Sequence, residues 1–293
     1  MAGTIFSGSE LNGSEQEKNI QWWDENPMTY DWNKTLGVEE GTKEFFEAID
    51  RRFFEAVRNF AHPGYPQQFP FSQLIEFDDL KGKKVLEVGC GAGGTAALFS
   101  LKGARITGID ISERAVQLTR KRFSLYGLGG DIFLGDAENM KFGDGEFDFV
   151  WAWGVIHHTP QTQKAVNEIY RVLKPGGEAK VMVYHKNSFR YWILGGLYYG
   201  VVKGKLLRMS LDEVNKSFTD GYIARHFTKR DVMRMFSSFR KVRVSVMDQG
   251  ENLILFTKLN NLMARVISPD IWRRFNVSLM KRFGWFLFIE AEK

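Results

Sequence analysis

The sequence predicts an α/β protein in which a mostly parallel sheet is covered by helices on both faces. Three observations carry this. From Lys83 to Tyr184, short apolar runs alternate with helical stretches, the rhythm of strands joined by crossover helices. A glycine-rich turn follows the first of those runs. The helical stretches begin and end on capping and breaking residues.

Taken in order, Lys84–Val88 reads as the first strand, followed by the glycines of VLEVGCGAGG. Ala96 to Lys102 is a helix closed by Gly103, and Ala104 to Ile109 is the second strand. Ser112 caps a helix through Arg122, its hydroxyl suited to the free N–H groups of a first turn. Asp131–Leu134 and Phe147–Trp151 are the third and fourth strands. Thr159-Pro160 fits an N-cap with proline at the first helical position, and that helix runs to Leu173. A Lys174-Pro175-Gly176-Gly177 turn leads into a fifth strand, Glu178–Tyr184. The rhythm then breaks, and Val242–Met247 and Trp285–Ala291 supply the last two strands. Upstream, Phe45, Phe46, Ile49, Phe53, Phe54, Val57 and Phe60 recur at three- and four-residue steps, one buried helix face, with Pro63 and Pro66 ending it. The resulting division is a disordered tail over 1–18, an N-terminal helical cap or lid over 19–80, a core over 81–184, a helical insertion over 185–240 and C-terminal strands over 241–293.

Composition narrows the function classes. With one cysteine, Cys90, neither an internal disulfide nor a cysteine-rich metal site is available, and no metal is expected. The polar start has no signal-peptide pattern. The longest apolar run, Tyr191–Val202, is twelve residues with three glycines, well short of the roughly 20 a membrane span needs. A cytoplasmic location is the expectation. The net charge of +5 is uneven, because residues 185–243 carry thirteen Lys and Arg against four Asp and Glu. A basic segment on an acidic body attracts an anionic partner or forms a solvated face. No nucleic-acid partner is expected, since no recognisable nucleic-acid module accompanies that charge.

The glycine turn carries the chemistry. Gly89, Gly91 and Gly93 allow a sharp turn and close backbone approach to a ligand. Gly89, Gly91 and Gly94 also satisfy G-x-G-x-x-G, which a nicotinamide dehydrogenase would share. Several neighbours break that tie, although the first of them, Asp110, is a feature that nicotinamide enzymes share. Asp110, with Ile111 after it, ends the second strand, where a carboxylate can accept both hydroxyls of a ribose. Asp136, with Ala137 beside it, follows the third strand and can accept from an adenine amino group. Glu87 lies two residues before the turn. Trp153 ends the fourth strand in FDFVWAWGVIHHTP, and RVLKPGG turns the chain into the fifth.

Together these segments resemble the class I S-adenosylmethionine (SAM)-dependent methyltransferases, nearest to the small-molecule and quinone-type (methyltransferase type 11-like) subgroup, over about Lys83 to Tyr184. The resemblance implies a Rossmann-like, seven-stranded sheet and SAM as cofactor. It implies that Glu87, Gly89, Gly91, Asp110, Ile111, Asp136 and Ala137 surround SAM, with Trp153 facing its methionine part. Trp22, Trp23 and Tyr30 could close over it, since aromatic faces attract a sulfonium. Asn26–Tyr30 (NPMTY) is not the amino-methylating N-P-P-Y box, which belongs at the end of the fourth strand.

The acceptor pocket is expected outside the core. Tyr184, Lys186, Arg190, Tyr198 and Asp220 are its candidate residues, and the candidate bases are His157, His158, His185 and His226. The leading expectation is O-methylation of a small, partly apolar, acidic molecule. The alternatives are a quinone- or lipid-type C-methyltransferase touching a membrane surface through Tyr191–Val202, and a non-catalytic SAM-binding regulator. Oligomeric state is left open.

Overall fold

The computed structural model describes residues 14–26, 37–62, 69–248 and 268–293. Eight strands form one sheet: β1 (Lys84–Val88), β2 (Arg105–Asp110), β3 (Asp131–Leu134), β4 (Phe147–Trp153), β5 (Leu173–His185), β6 (His226–Phe227), β7 (Lys241–Met247) and β8 (Phe286–Glu292). Their order is β3-β2-β1-β4-β5-β8-β7, with β6 beside β5. β1 to β6 pair in parallel, while β8 runs antiparallel to both β5 and β7. The expected seven strands are thus present, and the two-residue β6 is an addition. Its place follows from the ladder. Met182 is the last β5 partner of β4, and beyond it Lys186 donates to Phe227 while His185 donates to Trp285 of the opposite flank. β6 therefore pairs on the side that β4 vacates.

The helices are α1 (Glu15–Glu25), α2 (Lys43–Ala56), α3 (Gly94–Leu101), α4 (Glu113–Tyr126), α5 (Thr162–Val172), a π-helix over Arg190–Val202, α6 (Leu211–Lys216), α7 (Lys229–Met235) and α8 (Pro269–Phe283). Period-two alternation along the strands separates two apolar layers. Val85, Phe149, Trp151, Met182, Phe286 and Phe288 face one layer with Phe53, Phe71 and Phe99. Leu86, Val88, Val150, Val181, Leu287 and Ile289 face the other, against Val166 and Ile169 of α5.

Several boundaries differ from expectation for local reasons. The tail does not extend to residue 18: Ser14 and Glu17 form a reciprocal capping box that starts α1. Pro63 and Pro66 lie outside the described residues. Thr159 does not cap α5. Its hydroxyl donates to the Ile156 carbonyl at 2.9 Å, closing a short 3-10 turn over Ile156–His158, and α5 begins at Thr162. Lys174–Gly177 is a bulge inside β5, where the partners of β4 jump from Leu173 to Glu178.

The chain direction away from the sheet reverses between β1 and β4, whose crossovers lead to opposite sides. In open parallel sheets the crevice at such a point is where ligands bind. The residues after β1 and β4 are the glycine turn and the segment from Gly154 to Thr159.

Candidate active site

The turn after β1 is built from backbone. Gly89 and Cys90 both donate to the Ile109 carbonyl, at 2.7 and 3.0 Å. Gly89 has φ +75°, and a Cβ there would lie 2.3 Å from Val155 Cγ2. No side chain fits, and left-handed backbone is strained for any residue with a Cβ. The turn is pinned from α4, where the Thr119 hydroxyl donates to the Gly91 carbonyl at 2.8 Å. Arg122, in the same helix, donates through Nε to Ala92 at 2.7 Å and forks onto both oxygens of Asp50 in α2. A buried two-pronged pair of this kind holds geometry well. Sequence reasoning missed Arg122, which follows Lys121 in a charged helix and carries no signal of burial.

Two carboxyls sit below the turn. Asp110 accepts from the Gly91 N–H at 2.8 Å and the Ser112 N–H at 3.0 Å. Burial raises its pKa, against the pull of those N–H groups. Glu87 is 4% exposed, and its Oε2 has no partner. Burial pushes Glu87 well above the usual carboxylate range, and the Asp110 charge adds to this. The Arg122 charge opposes that rise only in part. Asp136 lies one strand further out. Its Oδ1 accepts from the Glu138 N–H and its Oδ2 from the Gln16 side-chain amide, both at 2.8 Å.

α1 roofs this floor. Besides Gln16, its Asp24 accepts from the Ser112 hydroxyl at 2.7 Å. The buried residue of α1 is Asn19, whose Oδ1 has no partner. Trp23 sets its ring edge on against His158, at a centroid distance of 5.1 Å. A helix that buries a polar residue in this way is held by polar contacts and not by an apolar stripe. Tyr30 lies outside the described residues.

One cavity of about 1070 Å³ runs from the glycine turn, Asp110, Ile111, Asp136 and Ala137 past Trp153 to Tyr184, Asp220, His158 and Arg190. Its apolar wall follows from strand alternation and register. Trp153 stacks on Trp151 with ring planes 9° apart, Trp153 pairs with Met182, and Tyr184 pairs with Phe286.

The far end is polar. Tyr184 donates through its hydroxyl to Asp220 Oδ1 at 2.6 Å. His158 is 3% exposed, and its Nδ1 lies 2.5 Å from the Ile223 carbonyl. That carbonyl requires a proton on Nδ1, which leaves Nε2 as the lone-pair nitrogen. Nε2 is 3.9 Å from Asp220 Oδ2, too far for a hydrogen bond. Gly221 makes this approach possible, because a Cβ there would meet His158 Nδ1 at 2.5 Å. Burial lowers the His158 pKa, with Asp220 opposing, which favours the neutral ring with its lone pair on Nε2. Arg190 packs its guanidinium over the Trp285 ring at 4.8 Å, and its buried Nε has no partner.

The other sequence candidates fall elsewhere. His157 is fully buried behind His158 and Tyr184, at centroid distances of 4.1 and 4.0 Å, and does not line the cavity. His185 places Nδ1 on the Gly284 carbonyl at 2.9 Å, outside the cavity. His226 is packed among Tyr184, Tyr191 and Trp285. The Lys186 ammonium lies 3.3 Å from Asp212 and does not reach the cavity, and Tyr198 is 42% exposed at the surface. For these five the sequence registers residue type and neighbourhood, but not which way a side chain points.

Comparison with known proteins agrees with this fold. Residues 86–181 match the family model described as a methyltransferase domain. A phthiotriol/phenolphthiotriol dimycocerosates methyltransferase of Mycobacterium tuberculosis is 44% identical over 101 residues, which are 34% of this chain and 37% of that protein. A ubiquinone biosynthesis O-methyltransferase of Pseudomonas aeruginosa is 28% identical over 156 residues, 52% of this chain and 67% of that protein. The chain therefore spans little more than a third of the first relative's length. Among solved structures, a phosphoethanolamine N-methyltransferase of Haemonchus contortus bound to S-adenosylhomocysteine shares the fold, with a TM-score of 0.54 at 18% identity, over 96% of this chain and 61% of that one. Residues 86–181 of this chain are thus similar to a methyltransferase domain, on a fold shared with a methyltransferase solved with S-adenosylhomocysteine.

Proposed function

We propose that the protein methylates a hydroxyl of a partly apolar, small or lipid-type acceptor that carries an acidic group. The observation that carries this is the single cavity joining the glycine turn and Asp110 to the His158–Asp220–Tyr184 cluster. The donor end fits SAM. Each Asp110 oxygen accepts one N–H and keeps a lone pair for a ribose hydroxyl. An NH2 donor, that of Gln16, already sits on the Asp136 oxygen suited to an adenine amine. The partnerless Glu87 oxygen suits an ammonium. When bound, SAM supplies an electrophilic methyl group on a sulfonium.

The chain's own residues supply positioning and a base. An acceptor hydroxyl donating to His158 Nε2 gives its proton to that nitrogen as its oxygen takes the methyl. The Ile223 carbonyl holds the ring in the required tautomer, and Asp220, fixed by Tyr184, favours the imidazolium that forms. Trp23 and Trp153 exclude water from the middle of the cavity. Arg190 attracts the acidic group of the acceptor. The relatives are themselves named for small or lipid-type acceptors.

Turnover of His158→Gln tests the base. It should fall by about 100-fold or more while the affinity for S-adenosylhomocysteine stays unchanged. Undiminished turnover overturns the assignment. C-methylation is the second reading, favoured by the aromatic wall of Trp153, Tyr184 and Trp285, which could stabilise a cationic intermediate. The chemical shift of the transferred methyl in the product separates O-CH3 from C-CH3.

A further inference from the structure

The π-helix over Arg190–Val202 is apolar on all sides. It buries small residues and exposes large ones. Gly195, Gly196 and Gly200 are on its buried side with Tyr191. A Cβ at Gly195 would meet the Asn215 side chain of α6 at 2.3 to 2.6 Å, and one at Gly200 would meet Leu206 at 2.7 Å. The glycines let the helix lie flush against its neighbours. The bulky residues, at steps of five and four along Trp192, Leu197 and Val201, are left facing out. Of the sixteen large apolar side chains exposed among the described residues, seven lie between Trp192 and Leu207. Val201 is 64% exposed, Val202 67% and Leu207 89%. Concentrated exposure of this kind marks a surface that something covers.

Charge identifies what covers it. From Arg190 to Met209 there is no Asp or Glu, and Lys203, Lys205 and Arg208 stand among the exposed apolar residues. Among the described residues none of the three forms an ion pair. Lys203 lies over the Tyr198 ring at 5.6 Å, and Lys205 lies over Tyr199 and donates to Ser217. Apolar side chains interspersed with cations, plus amphipathic Trp and Tyr, match an anionic lipid–water interface. The patch also adjoins the cavity. Arg190, at the start of the helix, lines that cavity, and Phe218, another lining residue, stacks on Tyr199 at 4.9 Å.

We infer that the face formed by the π-helix and the turn after it, Trp192 to Arg208, docks on an anionic phospholipid surface and receives an apolar acceptor from it. The delivery of acceptor rests on the lipid-type reading above; the docking does not. No helix among the described residues is long and apolar enough to cross a membrane.

The test is co-sedimentation of the full chain with vesicles of phosphatidylcholine, with and without phosphatidylglycerol. Binding should require phosphatidylglycerol and weaken with salt. Leu207→Ser should lower the partition coefficient about tenfold, and Lys203→Gln about fivefold. Both variants should keep the thermal shift on S-adenosylhomocysteine, which shows an intact donor site. Wild-type protein that stays in the supernatant, or Leu207→Ser that pellets like wild type, overturns the proposal. So does a dimer that Leu207→Ser turns into a monomer without either binding vesicles, since the patch then covers a second copy. If the patch binds vesicles as described but the methyl goes only to a water-soluble acceptor, docking stands and the lipid-type reading falls.

Discussion

The two ends of the cavity are made from different materials. The donor end is backbone and carboxylate. Its glycines, Glu87, Asp110 and Asp136 come from one stretch of fifty residues, Glu87 to Asp136. The acceptor end is side chains gathered from far apart: His158 after β4, Tyr184 in β5, Arg190 in the π-helix, Asp220 after α6 and Trp285 before β8. Their electrostatics differ too. Burial raises the carboxyls of Glu87 and Asp110 at one end and lowers the histidines at the other. The donor end thus gathers three carboxyls, Glu87, Asp110 and Asp136, whereas the acceptor end sets one carboxylate, Asp220, beside a neutral imidazole and one guanidinium, Arg190. Local chain geometry makes a donor site that many acceptors can share, while the acceptor site depends on contacts across the whole fold.

The strongest way to break this contrast is Gly89→Ala. Left-handed backbone costs about 1–3 kcal/mol for a residue with a Cβ, and the Val155 methyl adds a collision. Calorimetry should find the affinity for S-adenosylhomocysteine lowered by about 100-fold. Adding Val155→Ala should recover part of the loss, because only the collision is removed. Wild-type affinity in Gly89→Ala would mean that the donor end is not built on backbone.

The next effect sharpens the picture of the acceptor end as neutral by burial. His226 is pushed down to about 3, chiefly by desolvation. Between that value and the unfolded value near 6.5, the unfolded chain binds a proton that the folded chain does not. Stability from this residue is therefore full above about pH 6.5 and is lost as pH falls, at about 1.4 kcal/mol per pH unit. His226→Phe removes that loss. Measured by urea unfolding, the stability of the variant relative to wild type should rise by about 2 kcal/mol from pH 7 to pH 5. Glu87 and Asp110, whose raised values act with the opposite sign, are common to both proteins and cancel. A constant difference between the two would place His226 in contact with water.

The smallest effect concerns Arg190. Arg190→Met keeps an apolar stem over Trp285 but removes the charge. The KM of an acidic acceptor should rise about tenfold, with kcat and S-adenosylhomocysteine affinity held. An equal rise for an uncharged acceptor would make Arg190 a packing residue.

How much was legible follows the same division. The five core strands, the glycine turn and its acidic companions could be read because each depends on residues near in sequence: period-two runs, caps, and glycines at positive φ. Only the first turn of α1 falls in the expected tail, because its capping box lies within a polar, Ser- and Gly-rich stretch. β6 was invisible, since two residues carry no period and pair only because β4 ends at Trp153. Four histidines looked equivalent as bases. The fold brings His158 alone among them to the cavity, and the missing Cβ of Gly221, 63 positions away, makes room for it. Lys186 and Tyr198 resemble pocket residues in the sequence because they sit in the basic aromatic insertion. The glycines of the π-helix turn that helix so that Tyr198 faces out, and Asp212 draws the Lys186 ammonium away.

The sequence by itself determined the sheet, its glycine turn and the acidic residues around that turn, because backbone conformation and strand alternation are properties of neighbouring residues. Only the tertiary structure decided which histidine meets the cavity, which cation aims into it, and that the apolar helix beside it turns its large side chains outward. Those outcomes depend on the directions of side chains brought together from distant parts of the chain, and no local pattern encodes a direction.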